Sequence, residues 1–366
     1  MEPNGWVRVL LPSDDEISRG TVRDVAGREE EAEPADPFAP AAEAGIHRIA
    51  IPTPFAVGRV NVYLIEDSPL TLVDAGPNSG TSLDELERGV ARLGHALEDI
   101  ELVVITHQHI DHLGLVGLVA RRSGAEVAAI DAAVSFVESF PADAQADDDF
   151  ARATMLRHGI PVDVVTALIS VSSAFRAWGA RADVTRVLHE GDELALRDRV
   201  LRVHHRPGHS PTDTVFHDER RRILLAADHL LGHISSNPLL TRPRGEARDR
   251  PQALVTYLES LAKTRAMDLD LVLPGHGNPI TDHRALIDQR FEMHRRRAAK
   301  IERLIAEEPR TAYEVAQALW GNVAVTQAYL TLSEVLGHLD LLLNDGRVRE
   351  REGADGVSVF EALAGD

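Results

Sequence analysis

Cysteine is absent from all 366 residues, which excludes disulfides and thiolate metal ligands together. Positive charge is scarce: 39 Lys and Arg face 58 Asp and Glu, for a formal net charge of −19. That balance argues against a generic nucleic-acid coat and against an anionic membrane surface, while leaving room for a local basic groove. No uncharged apolar stretch is long enough to span a bilayer. The opening Met1-Glu2-Pro3-Asn4-Gly5 has no basic region followed by an apolar one, so no secretory signal and a cytoplasmic setting are expected. The chain is, however, 44% hydrophobic, enough for a catalytic domain and a smaller second one.

The densest chemistry lies in Thr106-His107-Gln108-His109-Ile110-Asp111-His112. The apolar run Leu102–Ile105 before it reads as a short buried strand, and Leu113–Val119 after it as the start of a helix. Three imidazoles and a carboxylate in a turn at a strand end would be costly to bury and would repel when protonated, unless something binds them. Imidazole plus carboxylate suits zinc, or iron or manganese. The segment resembles the T-H-x-H-x-D-H signature of the metallo-β-lactamase superfamily, with every specified position present.

Further positions that resemble the superfamily's motifs follow in order, each where a strand gives way to a loop. Leu70–Val73 ends in Asp74-Ala75-Gly76, where the resemblance implies that Asp74 braces the metal loop without binding metal. Val200–Val203 leads to Pro207-Gly208-His209-Ser210, with His209 the implied ligand. His204 and His205 fall inside that strand, where opposite facing would bury one of them. The hairpin through Val215-Phe216 and Ile223–Ala227 ends at Asp228, the implied bridging carboxylate, preceded by Ala227 where Gly is usual. His229 and His233 nearby read as loop residues ahead of any substrate role. Leu269–Leu273 ends in Pro274-Gly275-His276-Gly277, whose glycines let the backbone bring His276 close to a metal.

Three regions frame these motifs. Residues 1–44 are acidic and Ala/Pro-rich and read as a solvated segment, with Trp6–Leu11 as a short docking strand. Residues 45–290 form the catalytic domain, interrupted at 131–182 by two or three helices that read equally as a lid or an extra packing layer. Phe136, Phe140, Met155 and Trp178 there are expected in the core. Residues 291–366 read as three helices and a hairpin, resembling a winged-helix module, with capping-box spacing at Thr311 and Glu314. Its third helix, about 328–343, puts Leu332, Val335, Leu336, Leu339 and Leu342 on an apolar face, beside Thr331, Ser333, Glu334, His338 and Asp340. It carries no Arg or Lys for base edges, so packing, homodimerisation or pocket closure is favoured over DNA binding.

The resemblance implies an α+β fold of αββα layers with a small winged-helix-like domain appended. It implies two divalent ions, zinc ahead of iron or manganese: one on His107, His109 and His209, the other on Asp111, His112 and His276, with Asp228 bridging. Two cations ~3.5–4 Å apart share a water whose pKa falls to about 7. The implied reaction is therefore hydrolysis without a covalent intermediate, with Asp111 and Asp228 in the chemistry. A thioester or related small acyl substrate is the first expectation, as in glyoxalase-II-like members. Phosphodiester cleavage is second, favoured slightly by Arg295–Arg297 and disfavoured by the net charge, and a lactone is third. A β-lactam is less expected without a cysteine ligand or secretory signal. The non-enzyme alternative is a winged-helix regulator with a metal-sensing domain.

Overall fold

The computed structural model describes residues 36–245, 247, 249–353 and 355–363; the expected strand at Trp6–Leu11 lies outside them. Residues 36–44, expected within a solvated segment, include the five-residue helix α1 (Ala39–Glu43). Phe38 and Ala41 bury themselves in the main core, and that apolar contact fixes the stretch.

The first sheet holds β1 (Ile46–Ile51), β2 (Val60–Ile65), β3 (Thr71–Val73), β4 (Leu102–Val104), β5 (Glu126–Ile130) and β6 (Arg186–Leu188), in that order. It is antiparallel up to β3 and parallel from β3 to β6. The second sheet holds β7 (Glu193–Ala195), β8 (Val200–His205), β9 (Thr214–Asp218), β10 (Ile223–Ala227) and β11 (Leu271–Pro274), parallel only at β10–β11.

Parallel neighbours need crossovers. In the first sheet these are α2 (Gly80–Arg92), then α3 (Ile110–Leu113) with α4 (Val116–Ser123), then α5 (Asp131–Glu138), α6 (Phe140–Arg157) and α7 (Val162–Phe175). α8 (Ala253–Arg265) joins β10 to β11, and α9 (His283–Glu307) follows β11. The alternation of side chains along a strand sorts the layers. Phe216, Ile223, Leu225, Leu271 and Leu273 join the first sheet's residues in one core. Their neighbours Val215, Leu224, Ala226 and Val272 face the other way, against Leu254, Tyr257 and Leu261 of α8 and Ile287 of α9. The expected αββα sandwich results.

After α9 come α10 (Ala312–Trp320), a short unanticipated α11 (Val323–Thr326), α12 (Ala328–Asn344) and a hairpin of β12 (Val348–Glu352) and β13 (Ser358–Ala362). The Thr311–Glu314 capping box forms in both directions. α9 runs unbroken through position 290/291, where the sequence suggests a domain boundary. α6, α7 and the turn between them bury Met155, Val165 and Ile160 in the same core as Ile301, Val315, Leu332 and Leu336. Phe136 and Met155 are buried as expected. Phe140 and Trp178 are only half buried; Trp178 stacks on Phe175 at 5.0 Å and meets Phe55 edge-on at 6.2 Å.

The amphipathic reading of α12 is corrected. Thr331, Ser333, Glu334, His338 and Asp340 are as buried as its leucines. Each finds a partner: Thr331 and Ser333 hydroxyls donate to carbonyls one turn back, Arg297 pairs with Glu334, and His338 Nδ1 donates to the Glu334 carbonyl. Arg250 grips both oxygens of Asp340 at 2.6 and 2.8 Å. A Cβ on Gly337 would come within 2.7 Å of Leu254, so α12 lies almost against α8. Every residue of α12 from Thr331 to Asp340 is buried.

Candidate metal centre

β3 and β4 run in parallel, and β8, β10 and β11 share one direction, so their carboxyl ends gather at one rim of the sandwich. Asp74 follows β3, His107 and its loop follow β4, His209 follows β8, Asp228 follows β10 and His276 follows β11. The structure brings together all eight residues expected at the site.

Two triads form. His109 Nδ1 lies 3.1 Å from His107 Nε2 and 3.0 Å from His209 Nε2. Donor nitrogens around a tetrahedral zinc stand ~3.3 Å apart, from Zn–N bonds of about 2.0–2.1 Å. In the second triad, His276 Nε2 is 3.3 Å from Asp111 Oδ2, and His112 completes the group. Asp228 sits between them: Oδ1 is 3.6 Å from His112 Nε2, and Oδ2 is 3.6 Å from both His209 Nε2 and His276 Nε2.

The outer nitrogens explain which atoms point inward. His112 Nδ1 donates to Asp74 Oδ2 (2.8 Å), His209 Nδ1 to the Asn237 carbonyl (3.0 Å) and His276 Nδ1 to the Arg59 carbonyl (2.9 Å). Each bond orients its ring so that Nε2 faces the centre. Asp74, at the positive φ of 61°, also accepts from Thr106 N (2.9 Å) and Thr106 Oγ1 (2.7 Å). It braces the loop, as the sequence implies.

The buried atoms His112 Nε2, His276 Nε2 and Asp228 Oδ1 have no hydrogen-bond partner, a cost of roughly 1–3 kcal/mol each if left so. A Cβ on Gly275 would fall 2.2 Å from Asp228 Oδ1 and 2.9 Å from the His112 ring, so the cradle tolerates no side chain there. Burial presses His107 well below the usual imidazole range and His109 to about 3, leaving both neutral with lone pairs available. Burial opposes charge on Asp228 as well, but His276, His112 and His209 outweigh it and hold the carboxyl well below its usual value. Orphaned inward atoms, a glycine-only wall and an all-nitrogen-and-oxygen donor set fit two divalent ions.

Several supports escape the sequence reading. Asn61 Nδ2 donates to the carbonyls of Pro274 (3.0 Å) and Gly277 (2.9 Å), and Tyr63 Oη to that of Pro274 (2.7 Å), clasping the His276 turn. A lone Asn inside the apolar run Val60–Ile65 was the available signal. Asp213, lifted by burial to about 6, accepts from Ser210 N (2.9 Å) and Oγ (2.7 Å) and shapes the His209 turn. His229, expected in an exposed loop, is instead fully buried, with Nε2 2.8 Å from Thr264 Oγ1 and its ring edge-on to Tyr257. His233 is exposed, and His204 and His205 are both half buried.

A family model described as the metallo-beta-lactamase superfamily matches residues 56–276, and one described as a metallo-beta-lactamase-like C-terminal domain matches 298–363. A probable metallo-hydrolase of Bacillus subtilis (strain 168) is 37% identical over 301 residues, 80% of this chain and 91% of that protein. The solved structure of a metallo-beta-lactamase family protein from Thermus thermophilus has a TM-score of 0.74 at 26% identity, covering 87% of this chain and 99% of that one. A beta-lactamase domain protein from Burkholderia ambifaria gives 0.75 at 28%, covering 87% and 92%. Among the described residues, no helix is long and apolar enough to cross a membrane.

Proposed function

Since the chain belongs to the metallo-β-lactamase superfamily and is a metallo-hydrolase of it, we propose that it hydrolyses a thioester or related small acyl compound at a dinuclear centre. The observation that carries this is Asp228, whose two oxygens face the two triads from between them. His107, His109 and His209 would hold one ion, and Asp111, His112 and His276 the other, with Asp228 shared. Two divalent ions there supply a water acidified to about pKa 7 and a Lewis-acid contact for the acyl oxygen.

The side chains do the rest. Asp111 holds the proton given up by the attacking water. The hydroxyls beside the ligands, Thr106 Oγ1 and Ser210 Oγ, donate to Asp74 and Asp213 and hold the ligand loops. Asp111, once it has taken the water's proton, is the named group that can pass it to the leaving group. A thiolate, whose conjugate acid has a pKa of about 8.5, departs without protonation far more readily than an alkoxide.

The slight support that Arg295–Arg297 lend to phosphodiester cleavage is weaker in the folded chain. Arg295 and Arg296 both pair with Glu292, and Arg297 with Glu334. Arg347 pairs with Glu302, and Arg349 and Arg351 with Glu361. Arginines already paired with carboxylates, two to one at Glu292 and at Glu361, attract phosphates less than free ones. The zinc-loaded protein should hydrolyse acyl thioesters faster than lactones and leave RNA intact; RNA cleavage without thioesterase activity would reverse the assignment.

A further inference from the structure

We propose that the C-terminal module is a working part of one metal site, with Asn237 as the positioning residue through which it holds His209. This rests on His209 being a ligand. A histidine that ligates through Nε2 needs a fixed acceptor for Nδ1–H. The acceptors of His112 and His276 lie within the sandwich, on Asp74 and on the loop before β2. The acceptor of His209 lies elsewhere, on the segment that leaves Asp228 and crosses to α12.

That segment is bonded on both sides. Toward the centre, the Asn237 carbonyl accepts from His209 Nδ1 (3.0 Å), and Leu239 N donates to the His209 carbonyl (3.3 Å). Away from it, Asn237 Nδ2 donates to the Leu330 carbonyl in the first turn of α12 (3.0 Å). Tyr329 Oη donates to the Leu240 carbonyl (2.6 Å), and Leu240 N to Ser333 Oγ (3.3 Å). Leu240 itself is buried in the module's core. Earlier in the same segment, Arg290 of α9 donates to the carbonyls of Leu231 (3.1 Å), Gly232 (3.3 Å) and Ile234 (2.9 Å).

Asn237 is the hinge of this arrangement. Its backbone carbonyl sets the His209 tautomer, and its side-chain amide ties that carbonyl to α12. Without the amide the carbonyl keeps its chemistry and loses its fixed place. The dependence is therefore one-sided: the His107–His109–His209 site leans on the module, and the Asp111–His112–His276 site does not.

The test is titration of full-length, metal-stripped protein with cobalt(II) against a competing chelator, following the visible absorption of each site. Wild type should take two ions. Asn237→Ala should weaken one of them about tenfold, the lower end of what loss of an orienting partner costs, and leave the other unchanged. Tyr329→Phe, which removes one hydroxyl, should shift the same site by less. Arg347→Ala, which breaks an exposed pair in the module, should alter neither affinity. Wild-type affinities in both Asn237→Ala and Tyr329→Phe, or equal weakening of both ions in Asn237→Ala, would overturn the proposal. Wild type binding fewer than two ions would instead overturn the ligand assignment beneath it.

Discussion

Two buried clusters in this molecule contain imidazoles and carboxylate, and they do opposite things with them. The rim cluster points unpaired atoms inward: His112 Nε2, His276 Nε2 and Asp228 Oδ1 face the centre without a hydrogen-bond partner. The second cluster, His294, Glu334 and His338, also brings three ligand-type atoms close together, but the protein itself engages its carboxylate and three of its four ring nitrogens, leaving His294 Nε2 without a partner. Arg297 takes the Glu334 carboxylate. His338 Nδ1 donates to the Glu334 carbonyl (2.7 Å), so its Nε2 accepts from His294 Nδ1 (3.2 Å). Both rings are then neutral, and the net charge of the group is zero. Residue types alone do not make a metal site; what matters is whether the protein supplies the counter-charge itself.

The largest expected effect separates the two clusters by metal. Asp228→Ala should lose at least one of two bound ions and more than about 100-fold in kcat/KM, since even an outer partner of a ligand is worth 10–100-fold. His205→Ala, half buried nearby but outside the triads, should keep both ions. Elemental analysis and kinetics read this directly. Equal losses in the two variants, or a third ion in wild type, would erase the distinction.

Breaking the second cluster should instead cost stability. Arg297→Ala strands the buried Glu334 carboxylate, a loss of about 3–5 kcal/mol for a broken buried pair, while the cobalt affinities of the rim stay as in wild type. Denaturant unfolding measures the first and titration the second.

Acid should expose the same cluster. Burial presses His294 to about 3, with His338, Arg297 and Arg290 adding to the depression and Glu334 opposing it. The unfolded chain titrates near 6.5 and takes the proton first. Stability from this group is therefore complete above about pH 6.5 and falls as pH drops toward 3. Unfolding curves of metal-stripped protein at pH 7 and 5 should show the fall, and His294→Leu should flatten it.

The smallest effect concerns backbone strain, which the rim stores at Asp74 and at Ala227, whose φ is 42°. Ala227→Gly should raise stability by about 0.5–1 kcal/mol and leave activity unchanged, as read from melting temperature and kcat/KM. A loss of stability would mean that Ala227 is not strained.

By its resemblance to the superfamily's motifs the sequence picked out the eight site residues at strand ends, and by itself it ordered the strands and helices, because period-two and 3.6 patterns and Gly/Pro stops are local signals. It marked the Thr311 cap for the same reason. Tertiary structure alone decided which polar side chains are buried. Asn61 clasps a turn 213 residues away, Asn237 reaches Leu330 93 residues on, and Asp340 is paired by Arg250 90 residues before it. A polar residue is readable as surface only while its partner is unknown: burying it costs several kcal/mol alone and little when matched. That match is a property of distant elements meeting, and no local pattern encodes it.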